Sequence, residues 1–247
     1  MNKAHTPLQV EQLLKTFSAG ETKVQVLKSV SLTAEEGDFI AIMGPSGSGK
    51  STLLHCIAGL TPCDGGRILL DGENISACDD QQKTALRRQK IGFVFQAFNL
   101  LPNLNVQDNI CLPLYADGKK PDQKCLCSIV ERLGIADKLQ RRPASLSGGE
   151  QQRVAIARAL MISPSVILAD EPTGSLDSMA SQELCQQLQQ FSEQDGKTIL
   201  MVTHEPAVAL WAKRVLVLLD GKITGEIPIT PALKALELAG KYSRMVC

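Results

Sequence analysis

The chain has 247 residues, enough for one large domain or two small ones with a substantial core. Hydrophobic residues make up 44% and charged residues 21%, and 26 Lys plus Arg balance 26 Asp plus Glu, so the bulk charge gives no case for nucleic acid or an anionic membrane surface. The polar start MNKAHTPLQVEQLLK excludes a signal peptide, no apolar run is long enough to span a membrane, and the eight cysteines form no CxxC pair, which points to thiols in a reducing cytosol.

The beginning of the chain reads as β-rich, with branched apolar residues over Val24 to Leu32 and a turn at Glu35-Glu36-Gly37. Phe39 to Met43 predicts a short buried strand running into GPSGSGKST. The next segment predicts a helix with Leu53, Leu54, Ile57 and Ala58 on one face and Gly59 as its stop. Arg67 to Leu70 predicts a strand meeting a turn at Asp71-Gly72, and Ile91 to Phe95 a buried strand ending at Gln96. From Asn105 to about Met161 the pattern is helical, broken by Gly118, Pro121, Gly134 and Pro143, and reads as a helical subdomain (about 97–163) inserted into an α/β core. Val166 to Ala169, Thr198 to Val202 and Val215 to Leu219 predict further buried strands, with a hairpin at Asp220-Gly221. The last stretch, from Pro231, predicts a short helix with Leu233, Leu236 and Ala239 on one side. Alternating strands and helices argue for a mostly parallel sheet covered on both faces, with chemistry at the strand ends.

Two motifs carry chemistry by themselves. Gly44-Pro45-Ser46-Gly47-Ser48-Gly49-Lys50-Ser51, followed by Thr52, fits the phosphate-loop pattern in full. Glycines let successive amides point inward at phosphate oxygens, and the following helix adds its unpaired N-terminal amides and positive dipole end. Lys50 supplies a point charge to the outer phosphates and Ser51 a hydroxyl for Mg²⁺. Alone, this motif says only "nucleotide phosphates". The second motif is Val166-Ile167-Leu168-Ala169-Asp170-Glu171, an apolar strand ending in two acids. At a turning strand tip they can divide the work, with Asp170 on Mg²⁺ and Glu171 polarising the attacking water; the plainer alternative is a pair of helix-capping acids. A third element, Leu146-Ser147-Gly148-Gly149-Glu150-Gln151, opens a helix with Ser147 as N-cap and two glycines that expose amides, a second phosphate-binding surface.

The run SGGEQQRVAIARAL resembles the signature of ABC ATPases, and so does the order phosphate loop, Gln96, signature, Asp170-Glu171, Ser175-Leu176-Asp177, His204. The resemblance covers about Leu8 to Ile229, so residues 1–230 are expected to form one ABC ATPase domain and 231–247 a short tail. It implies an α/β fold with a phosphate-loop ATPase core, an N-terminal antiparallel β subdomain and an inserted helical signature subdomain. It implies ATP and Mg²⁺ as ligands and hydrolysis to ADP and phosphate. It also implies a head-to-tail dimer, with itself or a sister subunit, in which Ser147 and Gly149 touch the γ-phosphate bound by the opposite chain and Asp177 aligns the two sites. By position, Gln96 resembles the glutamine that reaches Mg²⁺ and water, His204 the switch histidine on the γ-phosphate, and Phe17 the aromatic that stacks on adenine.

The stretches IGFVFQAFNLLP, NICLPL and ADEPTGSLD resemble the branch that serves lipoprotein release, macrolide export and antimicrobial-peptide export. A separate integral membrane permease is then the expected partner, contacted through Phe98, Leu100 and Leu101, with this chain peripheral on the cytoplasmic face of the membrane. The competing readings are the ATPase of a solute importer, a non-transport ABC ATPase, and a pseudo-enzyme. DNA-directed members insert long heptad segments before the signature, and none occurs between Lys50 and Ser147. No N-K-x-D motif supports a GTPase, and intact Lys50, Asp170, Glu171 and His204 argue against a pseudo-enzyme.

Overall fold

The computed structural model describes residues 5–20 and 22–246, so Cys247 and the first four residues of the polar start lie outside it. Two antiparallel strands, β1 (Leu8–Ala19) and β2 (Thr22–Ala34), open the chain, followed by β3 (Phe39–Met43) and helix α1 (Lys50–Ile57). Then come β4 (Gly65–Leu70), the short β5 (Glu73–Asn74), α2 (Asp80–Lys90) and β6 (Ile91–Val94). Three helices follow: α3 (Val106–Ala116), α4 (Gln123–Arg132) and α5 (Gly148–Leu160). The chain closes with β7 (Val166–Asp170), α6 (Ser178–Asp195), β8 (Thr198–Val202), the single turn α7 (Pro206–Ala209), β9 (Arg214–Leu219), β10 (Lys222–Pro228) and α8 (Ala235–Val246).

The strands form two sheets. One is antiparallel, in the order β2-β1-β4-β5; the other has six strands in the order β10-β9-β3-β8-β7-β6. In the second sheet all pairings are parallel except that of the edge strand β10 on β9. Strands β3, β7 and β8 are apolar because both faces are covered: every residue of β3 and β8 is buried. The faces of the core divide accordingly. Ile40 and Ile42 point into a cluster with α1 and the antiparallel sheet, and Phe39, Ala41 and Met43 into one with α3 to α6.

The hairpin expected at Asp220-Gly221 is present, and the turn expected at Asp71-Gly72 closes a second one. Asp71 and Gly72 have φ of +50° and +80° between β4 and β5, and Asp220 and Gly221 have +46° and +78° between β9 and β10. Positive φ at both central residues matches the right-handed twist of the strands. The helix face Leu53, Leu54, Ile57 and Ala58 is buried as the periodicity predicts. The seven cysteines among the described residues are free thiols.

The end of the chain departs from the expected pattern. Leu233 precedes α8, and Leu236 on that helix is 86% exposed, whereas Leu238 is fully buried. The inward stripe is Leu238, Tyr242 and Met245, which packs against the main core on the side of α7, β9 and β10. Leu233 packs on the core ahead of the helix, and on α8 itself the core takes Leu238, Tyr242 and Met245 rather than Leu236.

Candidate active site

Strand register brings the phosphate loop, the Asp170-Glu171 pair and His204 together at the C-terminal ends of the parallel strands. Ile42 on β3 pairs with Val202 on β8, and Val202 pairs with Asp170 on β7. The loops that leave these strands therefore start level with one another. They carry residues 44–49, Glu171 and His204, and they line a single cavity of about 750 Å³.

The phosphate loop owes its shape to close approach as much as to backbone freedom. A Cβ on Gly44 would lie 2.1 Å from the Leu218 carbonyl oxygen, so only glycine lets the loop rest on β9. Gly47 and Gly49 have φ of +79° and +104°, the left-handed region, and Gly49 caps α1 in that conformation. The Ser48 side chain is buried beneath the loop with no hydrogen-bond partner. Lys50 is buried too, and its Nζ donates to the carbonyls of Gly44 at 2.8 Å and Pro45 at 3.0 Å. Burial pulls its ammonium below the ordinary lysine value, while Glu171 and Asp170 push the other way.

Beside it, Ser51 Oγ donates to Asp170 Oδ1 at 2.9 Å. Burial pushes the Asp170 carboxyl above the ordinary carboxylate range, against the opposing Ser51 hydrogen bond. These are two hard oxygen donors within one coordination radius of a common point. Among the described residues no group of three or more His, Cys, Asp and Glu could hold a metal by itself. The set fits Mg²⁺, which takes one or two protein oxygens and fills the rest of its octahedron with phosphates and water.

Glu171 has φ of +46°, unusual for a residue with a side chain. It is held there by its N–H donating to Val202 O at 3.1 Å and its carbonyl accepting from Gly174 N–H at 3.1 Å. This turn lifts the carboxylate over the loop, where Glu171 Oε2 lies 3.3 Å from His204 Nδ1. Phe17 lies at the cavity rim, 42% exposed, with Lys15 Nζ 5.1 Å from its ring centroid. Gln96 is exposed and rests against Gly174, outside the lining of the cavity.

The remaining sequence-predicted residues form a second, smaller cavity of about 200 Å³. There Ser147 Oγ accepts from Glu150 N–H at 3.2 Å and Glu150 Oε2 accepts from Ser147 N–H at 2.8 Å, a reciprocal cap on α5. The same cap, through the Ser147 backbone, holds the Glu150 carboxyl below its ordinary range. Asp177 caps α6, accepting from Ala180 N–H at 2.9 Å, and joins Ser147, Gly148 and Gly149 around this cavity. The two cavities share no lining residue.

The sequence reading missed two residues of the larger cavity. Val26 lies on β2, with its backbone and side chain against Gly49, and Tyr242 reaches in from α8. Neither has a local signal, because each arrives through packing between elements remote in sequence.

The profile of the family described as ABC transporter matches residues 27–174. The chain belongs to that family. The ABC ATP-binding protein YxdL of Bacillus subtilis is 45% identical over 222 residues, covering 89% of this chain and 86% of its own. The macrolide export ATP-binding/permease protein MacB of Syntrophobacter fumaroxidans is 44% identical over 223 residues; the match spans 89% of this chain but only 31% of that longer protein. Among solved structures, the dimeric cassette MJ0796 of Methanocaldococcus jannaschii, in a post-hydrolysis state bound to ADP and Pi, superposes with a TM-score of 0.83 at 40% identity, covering 90% of this chain and 99% of that one. This ABC cassette is therefore an ATP-binding, ATP-hydrolysing domain. Among the described residues no helix is long and apolar enough to cross a membrane.

Proposed function

We propose that this ABC cassette hydrolyses ATP with Glu171 as general base, works as one half of a head-to-tail dimer, and drives a membrane permease in export or envelope-directed work. The observation that carries the chemistry is the convergence of Lys50, the Ser51–Asp170 pair and the Glu171–His204 pair on one cavity.

Each residue has a task that its geometry supports. The loop amides and the N-terminus of α1 cradle the phosphates, and Phe17 at the rim stacks on adenine. Lys50 exchanges its two loop carbonyls for oxygens of the outer phosphates; a buried ammonium gains more from an anion than from neutral carbonyls. Ser51 and Asp170 would hold Mg²⁺, with Gln96, which rests on Gly174, as a further candidate ligand. When bound, the ion would supply charge neutralisation on the phosphate oxygens. Glu171 takes a proton from a water in line with the γ-phosphate, while His204 holds the Glu171 carboxylate and faces the same phosphate. The water oxygen bonds to phosphorus as the bond to the bridging oxygen breaks, which yields ADP and phosphate.

The two cavities support the dimer. One chain holds a phosphate loop in the first and Ser147, Gly148, Gly149, Glu150 and Asp177 in the second, with no residue in common. In the proposed dimer a second copy, or a sister chain, lays the second set over a nucleotide held by the first, a reading supported by the dimeric state of the similar cassette MJ0796. For the permease, an apolar groove of about 240 Å³ lies between α2, β6 and α5, lined by Leu60, Phe93, Phe95 and Pro113 with Arg88 and Arg158 beside them. Arg158 also donates to the carbonyls of Phe98 and Asn99, and so ties the loop after Gln96 to α5. A permease segment in this groove, extended by the exposed Leu101, touches the helix that begins at Ser147 and the loop that carries Gln96. The cassette then sits on the cytoplasmic face of the membrane, and the relative named for macrolide export favours an outward direction.

The test is Glu171→Gln, with solution size and phosphate release measured with and without ATP and Mg²⁺. The expected result is loss of hydrolysis with an ATP-dependent dimer. Retained hydrolysis rejects Glu171 as base, and a monomer under all conditions rejects self-dimerisation.

A further inference from the structure

The C-terminal helix α8 belongs to the part of the chain beyond residue 174, where the family match ends. Its anchorage is built from three points on one face. Leu238 is fully buried, Met245 packs against the core, and Tyr242 lies between them one turn from each. Met245 rests on bare backbone: a Cβ on Gly225 of β10 would come within 2.8 Å of its sulfur. The helix is also packed against α7, which begins two residues after His204.

This docking has a consequence at the catalytic edge. Tyr242 lines the same cavity as Phe17, Lys50, Glu171 and His204. Its ring is half-buried on the core, and burial raises the phenol above its ordinary value. Tyrosine on such a wall offers an apolar body to the protein and a hydroxyl to the ligand, and a phenol that stays protonated is a donor to anionic oxygens.

We propose that Tyr242 is a nucleotide-contacting residue of this cassette: its hydroxyl donates a hydrogen bond to an oxygen of the bound nucleotide, and α8 serves as a wall of the ATP site. The inference rests on the ATP-binding reading above and adds to it a residue and an element. One neutral hydrogen bond to a ligand corresponds to roughly a 2- to 12-fold effect on affinity. Phenylalanine keeps the ring and the docking of α8, so it isolates the hydroxyl.

The experiment measures ATP affinity in the Glu171→Gln background, which holds ATP unhydrolysed, for chains with Tyr242, Tyr242→Phe and Tyr242→Ala. Thermal unfolding of each chain monitors whether α8 is still docked. The expected result is weaker ATP binding by Tyr242→Phe, several-fold, with an unchanged unfolding temperature, and a larger loss in Tyr242→Ala. Equal affinity of the Tyr242 and Tyr242→Phe chains overturns the proposal, whatever alanine does, because the ring alone would then only pack. Failure of the Tyr242 chain itself to bind ATP overturns the ATP reading as well, which separates the two failures.

Discussion

Asp170 and Glu171 are adjacent in sequence and end up with different physics. Asp170 still belongs to β7 and is partly buried under the loop, whereas Glu171 has turned into the left-handed region and faces the cavity. The sequence offered two acids at a strand tip and left capping as the alternative; the turn at Glu171 comes from hydrogen bonds to Val202 and Gly174, which no local pattern announces. Asp170 carries a testable cost. Its folded-state pKa lies above the unfolded value, so the folded state binds the proton more tightly, and stability falls as pH rises through the window between the two. At neutral pH the whole penalty is present. Asp170→Asn keeps an acceptor for Ser51 and removes the charge. In chelator and without nucleotide it should therefore unfold at a higher temperature than the parent at pH 7, and the difference should shrink toward pH 4; Mg²⁺-dependent hydrolysis should be lost. A lower unfolding temperature at pH 7 would show that the carboxylate is well compensated. Gly44 teaches a related lesson: the motif explains it by backbone curl, but the structure explains it by contact with Leu218 O. Gly44→Ala should cost several kcal/mol, roughly the range for overpacking and a broken contact, and denaturant titration would read this directly.

At the scale of elements, the helix that begins at Ser147 was legible because its start is written locally. Ser147 is the N-cap that the sequence indicates, and the structure adds a reciprocal bond from Glu150, which closes a capping box. The cap also gives the helix a pH dependence. The Glu150 carboxyl is depressed by its bond from Ser147 N–H, so its contribution is present above the ordinary carboxylate value and is lost as pH falls through the lowered one. Ser147→Ala removes half of the box and should cost about 1 kcal/mol. For a chain of this size that corresponds to a fall of about 2–4 °C in unfolding temperature, measurable by calorimetry. The last helix shows the opposite case. The expected Leu233–Leu236–Ala239 stripe starts before the helix and leaves Leu236 exposed, and the surface offered by α7, β9 and β10 takes Leu238, Tyr242 and Met245 instead. Strands β3, β7, β8 and β9 were legible as short apolar runs, but their order was not, since pairing β3 between β8 and β9 is a property of the sheet rather than of any segment.

At the scale of the whole molecule, the phosphate loop and the proposed second phosphate-binding surface do not meet within one chain. The loop at Gly44 to Ser51 and the surface at Ser147 to Gly149 line different cavities, and in the proposed head-to-tail dimer each nucleotide lies between two chains at two equivalent sites. This arrangement predicts complementation between dead variants. Lys50→Ala removes the charge from a phosphate loop and leaves the second surface intact. Gly149→Asp places a carboxylate against the partner's γ-phosphate. It should not harm the fold, because a Cβ there meets only Ala180 Cβ at 3.5 Å and acids are favoured in the first turn of a helix. Each variant alone should be inactive, since every site in its dimers carries the defect. In a mixture, a mixed dimer has one site with both defects and one with neither. Equal amounts of the two chains should then restore roughly a quarter of the parental phosphate release if chains pair at random and sites act independently. No recovery on mixing, with size measurements showing that mixed dimers form, would mean that the two surfaces act on one nucleotide within a chain or that the sites must fire together. Recovery would locate each nucleotide between two chains, a conclusion that no single-chain substitution can reach.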